Sequence, residues 1–361
     1  MDRRTFLLGC GGCAVMPERF TRPAAQSDEG GLWAYMDRDE ERLQRSPFLI
    51  RDPALNAYVS SIACRLAGDH CPDLRVYIVR TAQFNATMAP NGMMQVWSGL
   101  LLRAGNEAQL AAIMGHEIGH YLLRHGVERL REAKSRTATG QMLSIGLGFF
   151  QLLGAAFSSL AQLGLAAGGL AYGRDQEREA DRIGLELMAR AGYAPGEAAR
   201  VWSQLLEEAR AEEAPAEQSI LFATHPPLAE RREVLADAAA RLGGGHVNTD
   251  TYREMLAPYR SAFLHDEILR GHYSETLVLL DRMPPDGEVL FYKGEAHRLK
   301  GNLKAALDAY HAAEPLAPPP ELFRSVGLVQ RRLGESPTRA FTRYLELKPG
   351  APDAELIRAY L

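Results

Sequence analysis

Apolar residues first recur at helical spacing in Leu55, Val59, Ile62 and Leu66, one face of a segment that Asp52 and Pro53 open as N-cap and first helical position. The helix this predicts runs to about Gly68. The period then falls to two, with Leu74, Val76 and Ile78 alternating against polar neighbours as in a half-buried strand. Asn91-Gly92 is a hairpin-type turn signal, and Met93 to Trp97 reads as the strand leaving it. From Asn106 the helical period returns in Leu110, Ile113, Met114, Ile118 and Leu122. It breaks over 137–173, where there is no charged residue and Leu, Ala, Phe and Gly dominate. Polar-apolar helices are expected again over 174–190 and 194–208. An acidic Ala/Pro linker follows over 211–218, and Gly243-Gly244-Gly245 marks a domain boundary.

After about 250 the chain becomes a weak repeat. Ala306, Tyr310 and Ala313, with Gly294 before and Pro318 after, have the small-large-small spacing of a tetratricopeptide unit. A shift of 34 residues reaches Ala340 and Tyr344, with Gly327 one place out of register. Thr276, Leu280 and Met283 suggest an earlier, degenerate unit. Stacked helix pairs of this kind form a solenoid; a plain helical bundle is the competing arrangement.

Composition narrows the class. A chain of 361 residues points to two or three domains, and 46% hydrophobic residues suffice for a real core. A net charge of -4 and a pI of about 6.2 speak against nucleic acid as a partner. Arg3-Arg4 precedes an apolar run from Thr5 to Met16. Its 12 residues are too short to span a bilayer and fit a signal peptide. Arg3 to Leu7 resembles a twin-arginine export motif, and Leu7 to Cys10 a lipoprotein box that would put a lipid on Cys10. A later general cut near Ala25 is the plainer reading, and a disordered cytoplasmic tail the alternative. Two of the four cysteines, Cys10 and Cys13, fall in this segment; Cys64 and Cys71 remain, as a disulfide or as two buried thiols.

The chemistry centres on His116-Glu117-Ile118-Gly119-His120. Positions i and i+4 share a helix face, so the two imidazoles can bind one tetrahedral metal ion while Glu117 reaches a metal-bound water as general base. Nitrogen ligands suit zinc, one Zn2+ per chain. A third ligand is required. The Met-turn metalloproteases place a His six residues after the second His; here that position is Gly126, with His125 one residue early, which excludes that class. Downstream, Glu177 and Asp181 lie four apart on a second helix. Glu177 is the expected third ligand, and Asp181 the acceptor of a ligand histidine's outer N–H. Glu179 points off that face. Alone, this stretch would read as a solvated charged face.

With these residues the chain resembles the membrane-associated zinc peptidases of the HtpX and BepA type, in the gluzincin group. The matching parts are Asn85-Ala86 through Pro90-Asn91-Gly92, Gly99-Leu100-Leu101, His116 to His120, and Glu177 to Asp181 followed by Ile183-Gly184. They cover roughly 50–235, and the repeat tail points to the periplasmic BepA-like branch. The resemblance implies an α+β, mostly helical zincin-like domain with a small β-sheet over 28–245, after a signal segment at 1–27. An α-solenoid over 250–361 would follow. It implies an edge strand at Met93, Met94, Gln95 and Val96 that pairs with extended substrate backbone, and a role in quality control of envelope or outer-membrane proteins. Arg174 matches an arginine that polarises the substrate carbonyl, and equally fits a surface ion pair. His225 matches a histidine that approaches the metal as an extra ligand and keeps the enzyme latent; it reads equally as a turn residue.

The uncharged 137–173 cannot be one membrane span, which would separate Glu177 from His116 and His120. Two spans need about 40 residues plus a turn. A lid over the site or a loop facing the membrane surface fits better, with two buried helices as the alternative. The partners expected are unfolded or misassembled proteins at the site and a protein partner in the repeat groove. A latent peptidase serving as chaperone or assembly adaptor is the rival function.

Overall fold

The computed structural model describes residues 17–136, 172–212, 225 and 229–361. The segment 137–171 and the export motif and cysteines of 1–16 lie outside these residues. Two compact units divide the chain. The first holds residues up to 206 and 215–258; the second holds 207–214 and 259–361.

In the first unit, helix α1 (Asp28–Gln44) starts where the Ser27 side chain accepts a hydrogen bond from the Gly30 amide. Its Leu32, Met36 and Leu43 bury against Val79, Met93 and Trp97 of a small sheet. Residues 17–27, assigned above to the export segment and linker, are bonded to this domain. Pro17 O lies 2.8 Å from His70 Nε2, and Arg19 pairs with Asp73. Strand β1 (Leu49–Ile50) leads to α2 (Pro53–Ala67), whose N-cap Asp52 accepts from Leu55 N and whose Leu55, Val59, Ile62 and Leu66 are buried. A 3₁₀ turn (Gly68–Asp73) follows, and a disulfide closes Cys64 onto Cys71.

The sheet corrects the expected substrate edge. Its strands are β2 (Arg75–Val79), β3 (Ala86–Met88) and β4 (Met93–Trp97) with β1, in the order β1-β2-β4-β3. β4 pairs in parallel with β2, Arg75 opposite Met93, and antiparallel with β3, Ala86 opposite Val96. Both backbone edges of Met93, Met94, Gln95 and Val96 are therefore taken, and all of β4 is buried. Among the described residues the free edge on that side is β3. Local alternation marks a strand but carries no information about its neighbours. Here the loop after β2 skips one strand position, and the Asn91-Gly92 turn brings β4 back into the gap. Gly99 permits that crossing: a Cβ there would lie 2.2 Å from Ala82 O.

In chain order follow α3 (Ser98–Arg103), α4 (Glu107–Leu122), which packs on β3, α5 (His125–Arg136), α6 (Arg174–Arg190), which packs on α4, α7 (Gly196–Ala211) and α8 (Ala229–Leu242), which packs on α6. The α4 N-cap is Asn106, and every residue of α4 is buried. Helix α9 (Thr249–Leu269) crosses the unit boundary at Pro258.

The second unit continues in helices α10 (Tyr273–Asp281), α11 (Gly287–Lys300), α12 (Leu303–Ala313), α13 (Glu321–Leu333), α14 (Thr338–Leu347) and α15 (Ala354–Arg358). Ala306, Tyr310, Ala313, Ala340 and Tyr344 are all buried. The Tyr310 ring lies on Gly294, where a Cβ would meet it at 2.3 Å. In the next pair Gly327 faces Phe341 instead, and the Tyr344 hydroxyl donates to Asp353. That exchange of aromatic partner is why Gly327 falls out of register. Among the described residues no helix is long and apolar enough to cross a membrane.

Candidate metal centre

The site forms where α4 and α6 pack without side chains between them. Gly115 and Gly119 of α4 face Ala180 and Gly184 of α6. A Cβ on Gly119 would lie 2.8 Å from Ala180 O, and one on Gly184 would lie 3.0 Å from His116 N. This backbone contact lets residues 57 or more positions apart converge. Gly119→Ala is expected to force the helices apart, costing about 1–3 kcal/mol in stability and weakening metal binding. Thermal unfolding of metal-free and metal-loaded protein checks both, and an unchanged midpoint would show that the helices yield freely.

His116, His120, Glu177 and His225 each offer one ligand atom, all within 4.8 Å of one another, and all four are buried. His120 Nε2 lies 3.0 Å from His116 Nε2 and 3.3 Å from Glu177 Oε1. His225 Nδ1 lies 3.2 Å from His116 Nε2 and 2.9 Å from Glu177 Oε1. The His116 Nδ1–H donates outward to Asp181 Oδ1 at 2.9 Å, which leaves Nε2 a lone pair facing the cluster. Glu117 is 3% exposed; its Oε1 has no hydrogen-bond partner among the described residues and lies 3.4 Å from His225 Nε2.

A guanidinium the sequence did not single out completes the centre. Arg231 of α8 is buried and holds Asp181 with two bonds, Nε to Oδ2 at 2.5 Å and Nη2 to Oδ1 at 2.7 Å. Its Nη1 lies 2.8 Å from Glu177 Oε2, outside hydrogen-bond geometry. The Trp202 ring covers its other face at 4.2 Å. Tyr172, also not anticipated, stacks on His120 with ring centroids 3.8 Å apart. Arg174 begins α6 but is exposed and enters none of the bonds of the cluster among the described residues. The cation beside the ligands is Arg231, one of two adjacent arginines in a charged helix start that no local pattern distinguishes.

The electrostatics follow from this packing. Burial pushes the Glu117 carboxyl above its usual range, against the pull of His225 and His116. Burial would raise Glu177 as well, but His225 and His116 outweigh it and hold it well below. Asp181 is likewise lowered, burial losing to Arg231 and His116. Burial drives His120 well below its ordinary value, whereas Glu177 and Glu117 overcome burial and raise His225.

The residues fit a divalent cation. With neutral imidazoles, three buried carboxylates (Glu117, Glu177 and Asp181) face one buried guanidinium, leaving two negative charges uncompensated. Imidazole nitrogens turned toward each other, with Glu177 Oε2 accepting no hydrogen bond among the described residues, are a donor set of the kind a divalent cation takes. Beside it a cleft is lined by Phe20, Trp33, Met88, Tyr121 and Val127 together with His120 and Tyr172.

Comparison with known proteins agrees with this geometry. The family model described as Peptidase family M48 matches residues 49–239. The β-barrel assembly-enhancing protease of Escherichia coli K12 is 32% identical over 243 residues, 63% of this chain and 47% of that protein. The namesake from Yersinia pestis is 28% identical over 208 residues, 55% of this chain and 41% of that protein. The mitochondrial metalloendopeptidase OMA1 of Schizosaccharomyces pombe is 30% identical over 178 residues, 48% of this chain and 50% of that protein. The chain thus spans about half the length of these curated relatives.

Proposed function

The chain belongs to peptidase family M48, and from that premise we propose that it is a zinc-dependent endopeptidase of the bacterial cell envelope, acting on misfolded or misassembled envelope or outer-membrane proteins. The observation that carries the reading is the convergence of His116, His120, Glu177 and His225 beside the buried Glu117 carboxylate, whose Oε1 accepts no hydrogen bond among the described residues. The envelope setting draws on the export-type N-terminus and the Cys64–Cys71 disulfide. The substrate class draws on relatives named for β-barrel assembly.

His116, His120 and Glu177 would hold the zinc ion, with His225 as a fourth donor. When bound, zinc supplies a Lewis acid that polarises a carbonyl and brings the pKa of water to about 7. Glu117 takes the proton of the attacking water at a carboxylate oxygen and passes it to the leaving nitrogen. Asp181 and Arg231 fix the His116 ring. The free edge of β3, packed on α4, offers backbone groups to an extended polypeptide, in place of the β4 edge expected from sequence. In this reading the repeat helices recruit the substrate or an assembly partner.

A second reading rests on His225. His225 as a fourth protein donor would fill the position that a catalytic metal keeps open for water. The resting enzyme would then be latent, and the repeats would act as a chaperone or adaptor. Purified protein offered casein distinguishes the two. Cleavage blocked by a chelator and restored by zinc supports the peptidase; no cleavage by native chain or His225→Ala discards it. Under latency His225→Ala cleaves several-fold faster than native, and a fall or no change rejects the latch.

A further inference from the structure

The outer nitrogen of His120 meets a second imidazole, not a carboxylate. His120 Nδ1 lies 2.8 Å from Nδ1 of His125, and His125 Nε2 lies 3.2 Å from Glu179 Oε2. Two neutral imidazole nitrogens at this separation must divide the roles, one donating and one accepting. The carboxylate decides which. Glu179 only accepts, so His125 Nε2 carries a hydrogen; a neutral His125 then has a bare Nδ1, and the hydrogen between the rings belongs to His120 Nδ1. His120 Nε2 is left as a lone pair directed at His116 Nε2 and Glu177 Oε1.

We propose that His125 and Glu179 are a positioning relay that locks His120 in its Nε2-ligating tautomer, doing through an intervening ring what Asp181 does directly for His116. The proposal rests on the metal-centre reading above. His125 is completely buried, whereas Glu179 sits half in solvent, so the chain of donors runs outward from the cluster to a hydrated carboxylate.

The backbone is bent to make this contact. On an unbroken helix, residues five apart lie about 140° around the axis from each other and cannot meet. Here α4 ends at Leu122, and Arg124 adopts φ 58, left-handed for a residue with a side chain, before His125 starts α5. The turn swings His125 back onto His120. Two contacts hold Arg124 in that conformation: an ion pair with Glu29 and the Phe20 ring 5.1 Å from its guanidinium. Arg124 is one of three residues other than glycine with positive φ among the described residues, and it stands where the chain turns an imidazole onto His120.

The test measures zinc affinity of the full chain by chelator competition, beside thermal unfolding of the metal-free protein. His125→Leu removes the acceptor and should weaken zinc binding about 10–100-fold, the usual effect of losing an outer partner of a metal ligand. His125→Asn places an amide oxygen near the position of Nδ1 and should recover most of that loss. Glu179→Ala, at a half-exposed site, should weaken binding in the same direction while leaving the metal-free midpoint unchanged. Native-like affinity in His125→Leu overturns the relay alone. Equal weakening in Leu and Asn variants, matched by equal losses in the metal-free midpoint, overturns it in favour of packing. A native chain that binds no zinc overturns the metal centre and the relay together.

Discussion

Glu117→Gln should cut peptide hydrolysis by at least about 10²–10⁴-fold, the range a positioned acid–base group supplies, while the protein keeps its full complement of metal. Glutamine matches glutamate in shape, and Glu117 is not among the four converging ligand groups. What is lost is the ability to take a proton. Folding should not suffer. A carboxyl whose pKa burial raises opposes folding once it ionises, so above its unfolded pKa the charge destabilises the native state. Replacing it with a neutral amide at pH 7 removes that penalty, and the metal-free midpoint should hold or rise. Steady-state cleavage, metal analysis and thermal unfolding of the same preparation decide the matter. A Gln variant that cleaves at the native rate would show that another group moves the proton.

His116→Ala should reduce bound metal from one equivalent per chain to near zero and abolish cleavage with it. His116 brings Nε2 to the ligand group and Nδ1 to Asp181. Its loss removes one donor and leaves Asp181 to Arg231 alone. In the proposed zinc enzyme, added zinc should stabilise the native protein by about 2.7 kcal/mol when free metal is a hundredfold above the dissociation constant, and this gain should vanish in the variant. Metal analysis after dialysis, and unfolding with and without added zinc, report this independently of turnover. Retention of one tightly held equivalent by His116→Ala would mean that the ion sits elsewhere. Taken with the first variant, the pair separates binding from chemistry: one keeps metal and loses proton transfer, the other loses metal first.

The parts of the centre legible in the sequence are those whose geometry is local. His116, Glu117 and His120 lie within one helical turn, so their spacing alone puts two imidazoles on one face. Glu177 and Asp181 are likewise four apart on α6, which fixes their relation to each other although not to α4. The N-cap Asp52 was equally readable, because a cap is a bond between residues three apart. Arg231 was not: it lies 115 residues from His116 and reaches it only through the packing of α8 on α6. His125 was set aside because it misses the Met-turn ligand position by one residue, and Glu179 because it lies off the ligand face. Both inferences concern direct ligation, and neither residue is among the four converging ligand groups. Neither could anticipate that a left-handed Arg124 would turn one onto His120 and bring the other within reach of it.

Periodicity and short-range spacing by themselves determined several of the helices and strands, the helical tail, and a His-Glu-His helix that needs one more ligand; the mostly helical class with a small sheet came from the family resemblance. The order of the strands, the neighbours of β4, the meeting of α4 with α6 through Gly119 and Gly184, and the arrival of Arg231 were decided by tertiary structure alone. The physical reason is range. Backbone hydrogen bonding along a helix or turn is set within about four residues. Which faces then pack together depends on the burial and close approach of segments far apart in the chain, and no local pattern records that choice.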